Sequence, residues 1–264
     1  MRSTLFAIGS LPIQSYGIMV AIGFLLAVYV AIRRAKKRDI PSQFIFNLSL
    51  YVLISGFVGA RIFNILQHIR SYDSLSDALR IWEGGLTYYG GFVFASLVGF
   101  LYLRSKKLPI VEVLDVIAPS LALVEGIGRI GCFLAGCCYG KPTDLPCGVT
   151  FPENSLTRIL TDSQKVHPTQ LYSTVILFGI FIILIVLQRF MKFSGQLFLS
   201  YLIMYSIYRF SVDFFRYYSP EEHIGILVSS QATSLVIGLI ALIIMIVKIF
   251  RGWFIFHFNL GNTF

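Results

Sequence analysis

Seven apolar runs, each close to the length that crosses a lipid bilayer, constrain this 264-residue chain more than any other feature. A membrane-spanning helix needs roughly 20 mostly apolar residues. Only 13% of the residues are charged, and the mean hydropathy is +0.76. These values exclude an ordinary soluble domain, a disordered chain and a disulfide-stapled scaffold. We therefore predict an all-α integral membrane protein, one domain over residues 1–264, with seven transmembrane helices near 15–32, 44–66, 88–103, 111–134, 170–188, 196–213 and 225–247.

The net charge of +9 reports membrane topology and gives no reason to expect a nucleic-acid partner. Many of the lysines and arginines fall in basic clusters that follow alternate apolar runs, at residues 33–38, 104–107, 189–192 and 248–251. Cytoplasmic connections are enriched in Lys and Arg. This pattern predicts an amino terminus outside, a carboxyl terminus in the cytoplasm and outer connections near 67–87, 135–169 and 214–224. Residues 1–15 have no small-residue cleavage pattern, so we expect a lead-in to the first helix and no removable signal peptide.

Three arginines lie inside the predicted spans, at Arg61, Arg129 and Arg209. A charge inside the bilayer is costly, so such residues are functional candidates. Guanidinium binds phosphate bidentately, and a phospholipid phosphate is the obvious anion at this depth. Internal pairing is the alternative. Arg209 could pair with Asp213 four residues on, and two acids on the fourth span, Asp115 and Glu125, could neutralise the others.

Two glycine-rich runs, at residues 84–91 and 126–131, sit where an outer connection meets a helix. Glycine in membrane helices marks close approach of backbones. Together the runs suggest a cavity with tight walls that opens toward the outer half of the bilayer.

All four cysteines fall between positions 132 and 147, and three interpretations compete for them. The first is a disulfide formed in an oxidising compartment, with Cys147 favoured as one partner. The second is reactive thiolate chemistry beside Arg129, since a nearby cation lowers a thiol pKa. Metal binding ranks last because the spacing C-x4-C-C-x8-C lacks paired C-x2-C units, with only His167 in the loop to assist. We expect no metal and no cofactor.

Six segments, in order along nearly the whole chain, resemble the bacterial prolipoprotein diacylglyceryl transferases. They comprise Tyr16–Met19, Gly59–Arg61, Trp82–Leu86 with Tyr88–Gly91, Asp115 with Ala118–Pro119 and Gly128–Phe133, His167–Tyr172, and Arg209 with Asp213–Arg216.

The resemblance implies a multi-pass enzyme of the bacterial cytoplasmic (inner) membrane. Its partners would be phosphatidylglycerol and an exported preprolipoprotein. The diacylglyceryl group would pass to the lipobox cysteine thiol, forming a thioether as glycerol phosphate leaves. Arg129 and Arg209 would bind the phosphate, Asp213 would orient Arg209, and Tyr16 would line the lipid site. The other substrate-binding candidates are Arg61, Arg216 and His167.

The chain departs from the family pattern where the resemblance places catalytic polar groups. Tyr89 stands where the family usually has a His, and Cys132, Ala135 and Cys137 replace Asn, Asn and Glu. Tyrosine, with a pKa of about 10, is a weaker base than histidine near neutral pH. Tyr89, Cys132, Cys137 and Arg209 are therefore the catalytic candidates.

Three other functions compete with the transferase. A same-fold enzyme could use a different acceptor or a covalent step at Cys132 or Cys137. A lipid-binding protein could have kept the arginines and lost the chemistry. A membrane thiol oxidoreductase is disfavoured because the chain lacks a C-x-x-C pair.

Overall fold

A computed structural model describes residues 4–8, 11–69, 85, 87–152, 155–162, 164–219 and 222–261. Its elements in chain order are β1 (Thr4–Ile8), β2 (Leu11–Gln14), α1 (Ser15–Lys36), α2 (Ser42–Gln67), α3 (Tyr88–Ser105), α4 (Ile110–Ala135), α5 (Leu156–Leu160), α6 (Thr169–Leu187), α7 (Gln196–Val212), β3 (His223–Ile224), β4 (Leu227–Val228) and α8 (Ser229–Gly261). A 3-10 turn at Gln188–Phe190 continues α6.

The helices form where the apolar runs predict them. Four are long and apolar enough to cross a membrane, within the described part of the chain: Ser15–Lys36, Ser42–Gln67, Thr169–Phe190 and Ser229–Arg251. Long helices also form at the other three predicted spans, as α3, α4 and α7. Apolar side chains such as Val236, Ile243 and Phe250 are exposed along α8. An exposed apolar helix face suits lipid contact, so the structure confirms a mostly helical membrane protein.

The connections differ from the sequence-based expectation in three places. The lead-in to α1 is an antiparallel hairpin, β1–β2. A second hairpin, β3–β4, turns at Gly225, which has φ of 64°. The last helix therefore begins at Ser229, and not at the predicted residue 225. The Gln231 side chain accepts a hydrogen bond from the Val228 N–H at that helix start. The long connection after α4 contains the short helix α5.

The chain divides into two compact units, residues 1–27 with 117–264, and residues 28–116. The core of the first unit joins α4, α6 and α7. Its buried members are Ala118, Ala122, Leu177, Ile180, Leu184, Leu197, Tyr201, Tyr208 and Val212. This core fixes the relative positions of α4 and α7, the helices that carry Arg129 and Arg209.

In the second unit, α2 and α3 cross at a pair of glycines. A Cβ atom at Gly59 would lie 2.6 Å from the Gly90 carbonyl oxygen, and one at Gly90 would lie 2.5 Å from the Gly59 carbonyl oxygen. Small residues let membrane helices approach backbone to backbone. At the other end of the unit, Arg34 donates hydrogen bonds to the carbonyls of Asp115 and Val116, at 3.0 and 2.8 Å.

Candidate functional site

Arg129 is held by an ion pair within α4 that is tied to α7. Its Nη2 lies 2.8 Å from Oε1 of Glu125, one helical turn earlier. Tyr205 of α7 donates its hydroxyl to the same oxygen at 3.3 Å. Because the carboxylate has partners on two helices, the guanidinium of Arg129 is fixed in orientation.

Arg209 is held by a network at the end of α7. Its Nη1 lies 3.3 Å from Oδ1 of Asp213, whose side chain is fully buried. Tyr218 bridges the two residues, accepting from Arg209 Nη2 at 3.1 Å and donating to Asp213 Oδ1 at 2.7 Å. The second Asp213 oxygen accepts from Ser230 at the start of α8. Burial raises the pKa of Tyr218, so its hydroxyl stays protonated and able to donate.

One donor of Arg209 is left without an acceptor. Its Nη1 is buried and makes no hydrogen bond to any described residue, since the 3.3 Å approach to Asp213 is an ionic contact without hydrogen-bond geometry. A buried guanidinium N–H without an acceptor is costly. An anionic oxygen of a bound ligand would relieve that cost.

Arg216 supplies the surplus positive charge of this region. Its guanidinium carbon lies 5.2 Å from the ring centroid of Tyr218, the residue that also contacts Arg209. Arg129 and Arg209 are close enough to repel each other. We call Arg129, Arg209 and Arg216 the arginine cluster. With Glu125 and Asp213 it carries a net charge of +1, before the thiols that interact with Arg129 and Arg216 are counted.

This pairing refines the sequence-based argument. The sequence placed three arginines, Arg61, Arg129 and Arg209, inside the predicted spans and left open whether they bind a phosphate or pair internally. In the structure Arg129 and Arg209 each have their own carboxylate, so the surplus charge within the arginine cluster comes from Arg216.

Tyr16 lies at the start of α1, against the glycine run of α4. A Cβ atom at Gly131 would be 3.1 Å from Met19 Cβ and 3.2 Å from Tyr16 Cδ2, so only glycine permits this approach without displacement. The Tyr16 hydroxyl interacts electrostatically with Arg129 and with the thiols that follow α4. By contrast, a Cβ at Gly128 would meet open space.

Three cysteine sulfurs converge at the carboxyl end of α4. The potential ligand atoms of Cys132, Cys137 and Cys138 all lie within 4.8 Å of one another. Cys132 is buried, Cys138 is half-buried and Cys137 is exposed. We call these three residues the thiol cluster.

A helix-ending turn produces this convergence. Gly136 adopts φ of 75°, and the N–H groups of Gly136 and Cys137 donate to the carbonyls of Phe133 and Cys132 at 3.3 and 3.1 Å. This is a Schellman motif, which brings the second residue after the helix over the last helical turn. Cys137 is therefore folded back beside Cys132. Cys138, with φ of 61°, turns the chain again.

The cluster's backbone is fixed by side chains of α5 and α6. The carbonyl of Cys137 accepts from Gln170 at 2.7 Å, and that of Cys138 accepts from Thr169 at 2.9 Å. Thr157 of α5 donates to the carbonyl of Gly136. Three successive carbonyls are thus held, so the positions of the sulfurs are set by surrounding structure.

The thiols of the cluster differ in how readily they lose a proton, because their environments shift their pKa values in opposite directions. Hydrogen bonds from Cys132 and Cys137 lower the pKa of Cys138, and Arg216 and Arg129 lower it further against the opposing effect of burial. Hydrogen bonding to the other two thiols raises the pKa of Cys137. The cluster therefore favours one thiolate stabilised by its neighbours.

Cys147 stands apart from this cluster. All four cysteines are free, so the structure does not contain the disulfide predicted for Cys147. Its Sγ lies 3.2 Å from Tyr172 Oη, and His167 Nδ1 lies 3.3 Å from the same oxygen. The His167 ring also packs edge-on against Phe215, with centroids 5.4 Å apart. His167 thus belongs to an aromatic group at the start of α6.

Arg61, in the second unit, organises the entry to α3. It is buried and donates to the carbonyl of Gly85 at 3.1 Å. Along the same helix, Gln67 accepts from Thr87 Oγ1 at 3.1 Å. Arg61 and Gln67 therefore hold the segment that leads into α3.

Tyr89 lies in the first turn of α3, with 61% of its surface exposed. It precedes Gly90, the close-contact residue of that helix. The preceding motif residues Trp82, Glu83, Gly84 and Leu86 lie outside the described part of the chain.

Sequence reasoning missed several residues of the first unit. Tyr205, Tyr218 and Ser230 complete the networks around the arginines. Gln170, which the sequence included in the His167–Tyr172 segment without a role, holds the backbone of the thiol cluster. The spacing of Tyr201, Tyr205 and Tyr208 along one helix face is a signal that could have identified Tyr205.

Comparison with known proteins identifies the family. The family model described as prolipoprotein diacylglyceryl transferase matches residues 3–247. The phosphatidylglycerol–prolipoprotein diacylglyceryl transferase of Clostridium tetani is 35% identical over 251 residues, covering 95% of this chain and 99% of the relative. The chain belongs to the prolipoprotein diacylglyceryl transferase family.

Other members of the family give the same picture. A relative with this transferase name, numbered 2, from Clostridium perfringens is 34% identical over 90% of this chain and 91% of its own length. One from Thermotoga maritima is 35% identical over 79% of this chain and 72% of its own length. The resemblance drawn from the sequence is therefore confirmed, and the thiol cluster lies within the matched region of the family.

Proposed function

We propose that this chain transfers the diacylglyceryl group of phosphatidylglycerol to the lipobox cysteine of prolipoproteins. The family match and the names of the relatives support this activity. The structural observation that carries the proposal is the arginine cluster, in which the buried Nη1 of Arg209 has no hydrogen-bond acceptor among the described residues.

The arginine cluster would bind the phosphate of the lipid. In the reaction, the acceptor sulfur attacks the glyceryl carbon that bears the phosphate ester. A C–S bond forms, that C–O bond breaks, and glycerol phosphate leaves with the bond's electron pair. The leaving group gains a second negative charge. Oriented guanidinium groups stabilise such a developing charge without reorganising, since Glu125, Asp213 and Tyr218 already hold two of them.

The other sequence candidates take supporting roles in this proposal. Tyr16 would line the lipid site, because it lies at the α1–α4 contact and interacts with Arg129. Arg61 would act through Gly85, which it holds, and His167 through the aromatic group at the start of α6. Tyr89 is the sequence's candidate for the base that takes the thiol proton.

A covalent step at Cys132 or Cys137 is chemically disfavoured for this reaction. A diacylglyceryl group attached to either sulfur would be a thioether, and thiolate is displaced from a dialkyl thioether far less readily than phosphate from its ester. The cysteines therefore need a role other than carrying the transferred group.

Complementation tests the proposed activity in cells. The gene is expressed in a bacterium depleted of its own transferase, and the thioether lipid on a reporter lipoprotein is measured by mass spectrometry. We expect modification to be restored by the wild type and by Arg189→Lys, a basic-cluster control, and lost with Arg129→Ala. Phosphatidylglycerol that co-purifies without any reporter modification would instead indicate a non-catalytic lipid-binding protein.

We also propose a seven-span topology in the bacterial cytoplasmic membrane, with the amino terminus outside. The basic clusters at alternate helix ends support this orientation. Both boundaries between the compact units fall inside continuous helices, α1 and α4. A domain boundary normally falls in a flexible linker, so we propose that the chain acts as one membrane domain.

A further inference from the structure

Among the described residues, the thiol cluster is a group of reactive side chains to which the proposed phosphate site assigns no role. The sequence ranked a metal site last because the cysteine spacing is irregular. The Schellman turn at Gly136 removes that objection, because it places Cys137 and Cys138 beside Cys132 regardless of spacing.

We propose that Cys132, Cys137 and Cys138 bind one Zn²⁺ ion and that its fourth coordination position receives the acceptor cysteine thiol. The second part of this inference rests on the proposed transferase function. The first part, the metal site itself, does not.

The geometry suits zinc. At a Zn–S distance of about 2.3 Å, the sulfurs of a tetrahedral site lie roughly 3.8 Å apart. The three sulfurs here all lie within 4.8 Å of one another, so shifts of about an ångström or less close the site. The carbonyl contacts from Thr157, Gln170 and Thr169 hold the backbone that presents them.

The charge also suits zinc. Three thiolates and Zn²⁺ carry a net charge of −1, and Arg129 and Arg216 interact electrostatically with this cluster. Glu125 is paired with Arg129, and Asp213 is paired with Arg209. Neither carboxylate therefore competes directly with the sulfurs for the metal ion. An arginine partner stabilises the anionic complex, much as outer groups tune other metal centres.

The number of ligands indicates an open position. Structural zinc sites have four protein ligands, whereas catalytic sites have three and a fourth position for water or substrate. Within the described part of the chain, three potential ligand atoms converge here, all of them cysteine sulfurs, and Cys147 is not among them. The exposure of Cys137 leaves the cluster accessible from its side.

A zinc-bound acceptor thiol would be ready to react. A thiol that coordinates zinc gives up its proton, here to water, and remains as a thiolate. Its sulfur then attacks the glyceryl carbon, the C–O bond to phosphate breaks, and the thioether leaves the metal as water returns. Charge balances, since thiolate and phosphodiester give a neutral thioether and a doubly charged glycerol phosphate. The oxidation state of zinc stays the same throughout this step.

Metal content tests the site without reference to activity. The full-length protein is purified in lipid nanodiscs without a histidine tag, under reducing conditions, and its zinc is measured by mass spectrometry. After removal by a chelator, Co²⁺ is added as a spectroscopic probe. We expect one zinc per chain, and a cobalt spectrum with thiolate charge-transfer and tetrahedral d–d bands.

Matched cysteine variants locate the ligands. Cys132→Ser, Cys137→Ser and Cys138→Ser should each lose zinc and the tetrahedral cobalt spectrum, whereas Cys147→Ser should keep both. Phosphatidylglycerol binding and melting temperature show whether each variant is folded. The zinc site would be overturned if the wild type contained no zinc and its three thiols could be alkylated, or if two of the three cysteines formed a disulfide. It would also be overturned by a three-coordinate Cu(I) site without zinc, or by a tetrahedral cobalt spectrum that survives Cys137→Ser.

A lipobox peptide tests the fourth position. Adding it should shift the cobalt d–d bands, and the same peptide with Ser in place of Cys should not. Removing zinc should lower thioether formation at least tenfold, and restoring zinc should recover it. Full transfer by metal-free protein would overturn this role and leave the proposed function intact. Bound zinc with no transfer by the wild type would contradict the proposed function and leave the metal site intact.

Discussion

Arg209 gives the most specific test of phosphate binding at the scale of single residues. Arg209→Lys keeps the charge beside Asp213 but removes the planar fork that can bind phosphate through two N–H groups. We expect kcat/KM for transfer to fall on the order of 100-fold, as for loss of one transition-state donor. The assay uses phosphatidylglycerol vesicles and a lipobox peptide.

Arg189→Lys is the matched control. Arg189 lies in the 3-10 turn after α6, in the basic cluster at 189–192, and does not belong to the arginine cluster. It should retain activity. If Arg209→Lys and Arg129→Lys both kept full activity and lipid binding, the arginines would be structural, and their pairing with Asp213 and Glu125 would be their whole role.

Tyr89 distinguishes two ways of ionising the acceptor thiol. A general base contributes about 10² to 10⁴ to rate. If zinc ionises the thiol, Tyr89→Phe should reduce kcat by no more than about tenfold. If kcat fell a hundredfold or more while zinc content and lipid binding stayed unchanged, Tyr89 would be the base that takes the thiol proton. Zinc would then not be the group that ionises the acceptor thiol.

The residue scale is also where sequence reasoning reached its limit. Arg129, Arg209 and Asp213 could be named because charge inside an apolar run is conspicuous. Tyr218 and Ser230 could not, since their contact with Asp213 depends on how a loop and α8 fold back. The thiol cluster was underestimated because spacing rules assume a regular loop, although Gly136 just after a predicted helix is typical of a Schellman turn.

At the scale of elements, the crossing of α2 and α3 depends on Gly59 and Gly90. A side chain at Gly90 would meet the Gly59 carbonyl oxygen at 2.5 Å and Phe63 Cβ at 2.3 Å. We expect Gly90→Val to destabilise the protein by about 1–3 kcal/mol or more, the usual cost of overpacking. Thermal unfolding in detergent measures this change.

Gly179→Ala in α6 is its control, because a Cβ there meets nothing within 4 Å. It should leave the melting temperature unchanged or slightly higher, since alanine favours a helix more than glycine does. Equal melting temperatures for Gly90→Val and the wild type would show that the α2–α3 crossing is not close-packed.

The helices themselves were predictable from the sequence. Apolar runs placed α2 at 44–66, against the observed Ser42–Gln67, because hydropathy alone determines which segments can cross a membrane. The β3–β4 hairpin was not predictable in the same way. Residues 225–228 are apolar enough to continue the last run, and the turn at Gly225 separates them from α8.

At the scale of the whole molecule, the basic clusters predict the membrane topology. Reporter fusions after Lys107 and after Lys192 should report cytoplasm, and a fusion at Asp144 should report the outer side. The physical reason is retention of Lys and Arg in the cytoplasm. A cytoplasmic signal at Asp144 would contradict the seven-span arrangement and would place the thiol cluster on the wrong side for an exported acceptor.

The most direct measurement of the central claim is the mass of the reaction product. The purified wild-type protein, reconstituted with phosphatidylglycerol, is incubated with a peptide that contains a lipobox cysteine. We predict a diacylglyceryl thioether on that cysteine and an equal amount of released glycerol phosphate. An unmodified peptide and intact phosphatidylglycerol, in protein that is folded and binds the lipid, would contradict the account.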